Sequence, residues 1–365
     1  MQTPYVVAAQ MKQFNLLIGL ICEGCGPVQE ADMLKTLFWN EEQHRIRTFW
    51  RLIFQAVFTA LLALVPVVII GELLSTAQKR GVLPAALTGV AGDKLLDLII
   101  GPLFTILIVA SVWLAGRLLD RRRFVDFGFH LSRVWWRDLC FGLGLGAGLM
   151  GFIFLLECAA GWITIRETFQ VSLPGLSFNL ALLYVLVKDV CVGIYEELLS
   201  RGYHLKNMAE GFKGMRDMNA KTAILVSTFV SSLIFGLLHA ANANTTFLSL
   251  FILCLNGVFL ALGYILTGEL AIPIGLHIAW NFFQGSVFGF PVSGDQENAA
   301  VIAIQQDGPI LMTGGAFGPE AGLVGLTAMV LGSVLILMWV RWRYGRRGIY
   351  EHLAVPELLW DQRGH

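Results

Sequence analysis

Tyr195-Glu196-Glu197-Leu198-Leu199-Ser200-Arg201 places two carboxylates and a guanidinium at the end of an apolar run that begins near Phe178. Charges at membrane depth are expensive, about 2.5–3.5 kcal/mol each for Asp, Lys or Arg near a helix centre on insertion scales. Helix geometry divides the labour among the three. Glu197 and Arg201 are four residues apart, so they share a face and can pair. Glu196 is turned about 100° onto the neighbouring face. The spacing predicts one Glu neutralised by Arg and the other left free for chemistry.

Two further motifs lie on later apolar runs. Phe235-Gly236-Leu237-Leu238-His239 ends one, and His277-Ile278-Ala279-Trp280-Asn281 lies in another, with His277 and Asn281 again on one face. Taken singly, each has a purely structural explanation. The Glu pair can be an anchored salt bridge, His239 can cap its helix end, and His277 with Asn281 can be polar glue between helices. Taken together, on apolar helices, they are titratable groups that belong in one shared interior pocket.

The set EExxxR, FxxxH and HxxxN resembles the CPBP family of intramembrane proteases. That family includes the type II CAAX prenyl endopeptidases and the bacterial lysostaphin-resistance and bacteriocin-immunity proteins. The resemblance is close over residues 178–290 and generic elsewhere. It implies an intramembrane endopeptidase that hydrolyses peptide bonds of membrane-associated or CAAX-like protein substrates, either a membrane protein or a lipidated peptide. It assigns the catalytic site to Glu196, Glu197, Arg201, His239, His277 and Asn281. In that assignment Glu196 takes a proton from a water held by His239, and His277 and Asn281 donate to the oxyanion. Glu197 with Arg201 fixes the helix that carries Glu196.

Metal dependence stays open under this resemblance. There is no HExxH. Glu196, His239 and His277 could instead form a two-His, one-carboxylate set for a divalent metal such as zinc, completed by Asn281 or water. The rival from another class is a non-catalytic membrane immunity or assembly protein of the same fold, which binds partners. Intact motifs favour the enzyme, because a scaffold has no need of a free Glu196 facing two histidines. A transporter would show internal repeats and broken helices, and neither is evident.

Composition supports the membrane reading. Of 365 residues, 56% are hydrophobic and only 14% charged, against about a quarter in a soluble domain. The formal net charge is zero, so nothing suggests a nucleic-acid partner. Of the six cysteines, Cys140, Cys158, Cys191 and Cys254 sit in apolar runs, where a free Cys behaves as a small hydrophobe. Cys22 and Cys25 form a lone CxxC, with no second pair to complete a zinc site.

In chain order, residues 1–32 read as an N-terminal extension, a disordered tail or a misassigned start ahead of Met33. Residues 33–177 comprise an amphipathic approach (Met33 to Arg51) and three spans, near 49–74, 95–118 and 139–163. The third opens with Gly142, Gly144, Gly146 and Gly148, and small residues let helices approach closely in lipid. Residues 178–290 form the catalytic core of spans four to seven: 178 to about 206, then 222–240, 247–266 and 270–290. Residues 291–320 are a loop whose Gly314, Gly315 and Gly318 mark a turn, and residues 321–365 are span eight and a basic tail. The fold class is all-α: a polytopic transmembrane helical bundle of about eight spans with an intramembrane polar site.

Lys and Arg cluster before span one and after spans two, four and eight, whereas 291–320 holds none. The positive-inside rule then places both termini in the cytoplasm of an inner (plasma) membrane and the 291–320 loop outside. The site is expected to be reached from the cytoplasmic half. Trp135, Trp136, Trp339 and Trp342 fit interfacial anchors. Lys188 and Asp189, also in span four, pair locally or line the cavity. These boundaries leave His239 too deep to meet Glu196, so one of them must be several residues out.

Overall fold

The computed structural model describes residues 37–84, 87–173, 175–215 and 218–359. The readings of residues 1–32, with the Cys22 and Cys25 pair, lie outside these. The chain divides into two units, Met1–Arg47 and Thr48–His365. In the first, the described residues make a short antiparallel hairpin of β1 (Trp39–Asn40) and β2 (Arg45–Ile46), closed by Gln43 N donating to Asn40 Oδ1 at 2.9 Å. The expected amphipathic approach is therefore not one continuous helix.

The second unit is helical. Its long apolar helices are α1 (Thr48–Lys79), α2 (Gly92–Asp120), α3 (Arg133–Ala159), α4 (Phe178–Lys213), α5 (Ala220–Leu238) and α6 (Phe247–Thr267). A shorter α7 (Ala271–Phe282) precedes α8 (Leu323–Tyr344). Seven of the eight, all but α7, are long and apolar enough to cross a membrane, among the described residues. The bundle of about eight spans differs from the expectation only in how span seven is built. Span seven is a 12-residue helix continued by a five-residue π turn, and every residue from Ala271 to Trp280 is buried. It starts inside the protein, where Leu270 N donates to Gly128 O at 3.0 Å, and it packs chiefly against α3 and α4.

Local signals set the helix boundaries. Ser132 caps α3 by accepting from Trp135 N at 3.2 Å, and Asn219 caps α5 by accepting from Thr222 N at 2.9 Å. Thr246 and Ser249 form a reciprocal box at the start of α6, and Gly268, with φ 81°, ends it. The glycines of α3 divide by face. A Cβ on Gly142 would lie 2.5 Å from Ile272 O, and one on Gly146 would lie 2.7 Å from Leu276 O. Gly144 and Gly148 meet nothing within 4 Å, so only the first pair seats α7.

The aromatic anchors need one correction. Trp136 and Trp342 are exposed, but Trp135 is buried and donates Nε1–H to Gly128 O at 2.9 Å. Two segments read as loop instead contain strands. β3 (Ile163–Val171) pairs antiparallel with β4 (Ala299–Gln306), from Ile163 opposite Gln306 to Val171 opposite Ala299. The expected turn at Gly314, Gly315 and Gly318 is present, with all three at positive φ.

Ion pairs gather the basic segments at one end of the bundle. Arg51 Nη1 lies 2.7 Å from Asp120 Oδ1, and Arg122 Nη2 donates to Glu210 Oε1 at 2.6 Å. Lys221 reaches Glu351 at 3.4 Å and Lys206 reaches Glu357 at 3.7 Å. The sheet and the 291–320 loop belong to the other end, where α3 finishes and α4 begins.

Candidate active site

The EExxxR pairing follows the helix. Arg201 Nη1 donates to Glu197 Oε1 at 2.9 Å, with both side chains 0% exposed. Its Nη2 donates to Gly257 O on α6 at 2.9 Å, and the guanidinium lies 4.5 Å from the centre of the Phe235 ring. The same Glu197 oxygen accepts from His277 Nδ1 at 2.8 Å. Glu196, on the neighbouring face, keeps 22% exposure, and its Oε2 lies 4.0 Å from His277 Nε2. The order Arg201, Glu197, His277, Glu196 thus runs from buried charge to accessible carboxylate.

His239 sits just past the end of α5, half-buried, and its Nδ1 donates to Phe235 O at 2.8 Å. A carbonyl oxygen can only accept, so the neutral ring carries its proton on Nδ1 and leaves Nε2 as an acceptor. The Glu197 oxygen, as acceptor, favours the same tautomer for a neutral His277 ring.

Glu196, His239, His277 and Asn281 line one cavity of about 200 Å3. Four sequence-predicted residues from three elements therefore come together, while Glu197 and Arg201 stand behind His277 rather than on the cavity wall. The depth conflict for His239 resolves through the helix ends. Span four continues to Lys213 instead of stopping near Lys206. Glu196 then lies roughly 25 Å back from Lys213, and His239 roughly 28 Å on from Ala220, at about 1.5 Å per residue.

Sequence reasoning missed part of the wall. Trp280 lines the cavity, and its indole N–H has no partner among the described residues. Asn256 contributes from α6; Lys188 and Asp189 also face in, one of the two roles the sequence offered for them. Trp280 sits inside the HxxxN motif, and its spacing from His277 was a usable signal. Asp295, Glu297 and Glu320 come from the loop, and no local pattern points to them.

The loop also contributes to the site. Val292, Ser293, Asp295 and Glu297 line the cavity from the end opposite the basic clusters. Their turn is pinned by Asn242 Nδ2 donating to Ser293 O at 2.9 Å and by Ser293 N donating to Glu320 Oε1 at 2.6 Å. Gly294, with φ 95°, fits because a Cβ there would lie 1.9 Å from Ala243 O. Burial raises the Glu320 carboxyl to about 7.

The tentative metal set is not a ready-made cluster. Among the described residues, no three His, Cys, Asp or Glu side chains are grouped to hold an ion, Glu196, His239 and His277 included. Both Nδ1 atoms are bonded to protein acceptors, which leaves the two Nε2 atoms to face the cavity.

The fold and cavity define the class: an integral, all-helical membrane protein with a polar site inside its bundle. The family model described as type II CAAX prenyl endopeptidase Rce1-like matches residues 178–283, the stretch that holds Glu196, His239, His277 and Asn281, and the chain is similar to that family there. No curated protein and no solved structure matches it.

Proposed function

We propose that the chain is an intramembrane endopeptidase in which Glu196 activates water. The observation that carries this reading is the single cavity shared by Glu196, His239, His277 and Asn281. The 4.0 Å gap between Glu196 Oε2 and His277 Nε2 is the right size for one water bonded to both. Glu196 takes a proton from that water as its oxygen attacks the scissile carbonyl carbon. The proton then passes to the leaving nitrogen as the C–N bond breaks, giving a carboxylate and an amine.

The tautomers refine the division of roles. With Nδ1–H bonded to the protein, the Nε2 atoms of His239 and His277 face the cavity, which suits them to hold water. The developing oxyanion needs donors, and the Asn281 amide and the Trp280 indole N–H are the cavity groups that donate while neutral. Glu197 and Arg201 act as positioning residues by fixing the His277 ring.

The basic end lies in the cytoplasm on the positive-inside rule. The cavity then receives substrate from the opposite face, and the substrate is a membrane-associated protein presented there. The test compares cleavage termini of the membrane proteome in cells expressing wild type and Glu196→Gln. Termini produced only by wild type are expected. Identical termini at matched expression would reject the enzyme in favour of a binding protein of the same fold.

A further inference from the structure

Two turns of α4 above Glu196, on nearly the same face, lies Asp189. It is 1% exposed and lines the cavity. Neither carboxylate oxygen has a hydrogen-bond partner among the described residues. A buried carboxyl without a donor is costly and calls for one. Lys188 does not meet that need, because it is bonded to Glu297 and its Nζ stays 3.8 Å from Asp189 Oδ1. The other charged groups facing the cavity are mostly acidic. Glu320 is engaged by Ser293 and Gln284, whereas Asp295 is exposed at the mouth. The wall thus holds five carboxyl groups, Asp189, Glu196, Asp295, Glu297 and Glu320, against the single ammonium of Lys188.

We propose that Asp189 forms a cation subsite of this cavity, which takes a lysine or arginine side chain of the peptide substrate. The position follows from geometry. Seven residues of helix separate Asp189 from Glu196 by roughly 10 Å. An extended peptide with its scissile bond at Glu196 covers that distance in about three residues at roughly 3.3 Å each. The cleaved peptide therefore carries its basic residue about three positions from the scissile bond, and Asp295 at the mouth draws that charge inward. This subsite deepens the endopeptidase reading and rests on it for the register of the peptide.

The test separates the two claims. Binding is measured on the full chain carrying Glu196→Gln in nanodiscs, so it does not depend on cleavage. The probes are short apolar peptides in which one lysine, or its uncharged counterpart norleucine, is placed at each position in turn. Lysine at the favoured position should bind about 10- to 100-fold tighter than norleucine, the range of a charge-assisted hydrogen bond. Asp189→Asn should remove that preference, and Asp189→Glu should restore part of it. If Asp189→Asn does not fold, the lysine-to-norleucine ratio in the chain that retains Asp189, read against Asp189→Glu, still decides. Equal binding of lysine and norleucine peptides at every position overturns the subsite, as does a preference that survives in folded Asp189→Asn. A lysine preference without cleavage by wild type would overturn the protease and leave the subsite standing. Cleavage without a lysine preference would do the reverse.

Discussion

Glu197→Gln separates the two jobs that the paired carboxylates perform. Glu197 Oε1 accepts from Arg201 Nη1 at 2.9 Å and from His277 Nδ1 at 2.8 Å, and its side chain is 0% exposed. Gln keeps the shape and one acceptor oxygen but removes the charge. Arg201, itself 0% exposed, would lose the charge that compensates it and keep only neutral partners: the amide oxygen, Gly257 O and the face of Phe235. Leaving one member of a buried pair uncompensated costs about 3–5 kcal/mol. The amide can also turn its N–H2 toward His277, which would move the ring proton to Nε2 and spoil the water site. Loss of a carboxylate that fixes a catalytic histidine in its tautomer costs up to about 10,000-fold in kcat in a Ser-His-Asp triad. Here the expected loss is about 100- to 10,000-fold on the same grounds.

Glu196→Gln should behave in the opposite way. Its side chain is 22% exposed, and the nearest basic nitrogen is 4.0 Å away. Stability should stay within about 0.5 kcal/mol of wild type while cleavage is lost. The assay pairs reversible unfolding in mixed micelles with peptide cleavage for wild type and both variants. A Glu197→Gln protein as stable as wild type, or a Glu196→Gln protein that is the less stable of the two, would refute the division of labour.

Three further outcomes can be checked. Glu320 keeps its proton to about 7 in the folded chain and gives it up near 4.5 in the unfolded one. Stability should therefore fall as pH rises through that window, by up to roughly 3 kcal/mol, and Glu320→Gln should flatten the profile. A profile that the substitution does not change removes Glu320 as its source. Gly142→Ala should destabilise by about 1–3 kcal/mol because its Cβ meets the α7 backbone, whereas Gly144→Ala should be neutral or slightly stabilising. Equal melting shifts for the two would contradict the seating of α7. Asp295→Cys in a background without the native cysteines should react with a membrane-impermeant maleimide added outside intact cells, and Arg347→Cys only after permeabilisation. The reverse pattern would invert the proposed orientation.

The parts of this molecule legible in the sequence are those that helix periodicity fixes. Glu197 and Arg201 pair because they are four apart on one helix, and Glu196 is spared because it is next in line. The apolar runs locate the long helices to within a few residues, because about 20 apolar residues are what a bilayer demands. α7 escapes that rule. Its neighbours are protein, so it can be apolar all round and shorter than a lipid-facing span, and hydropathy cannot tell lipid from a packed helix. β3 and β4 lie far apart in sequence, and their pairing is a tertiary event that neither strand announces.

The loop's share of the cavity wall was hidden for a related reason. The motifs define a polar layer at mid-depth, and a layer at mid-depth has no preferred side. What decides the side is which end of the bundle is filled. Toward the basic end, Leu198, Arg201 and Tyr203 are buried below the Glu pair, and α7 begins there against Gly128. Toward the other end, the wall is continued by a loop without Lys or Arg, whose turn at Ser293 is held by Asn242 and Glu320. Those contacts join segments about 50 and 27 residues apart, so no local motif encodes them. The charge pattern that orients the helices and the long-range packing that opens the site are independent. Together they place Asp295, Glu297 and Glu320 on the cavity wall at the end away from the basic clusters, where the proposed subsite would meet a basic residue of the substrate.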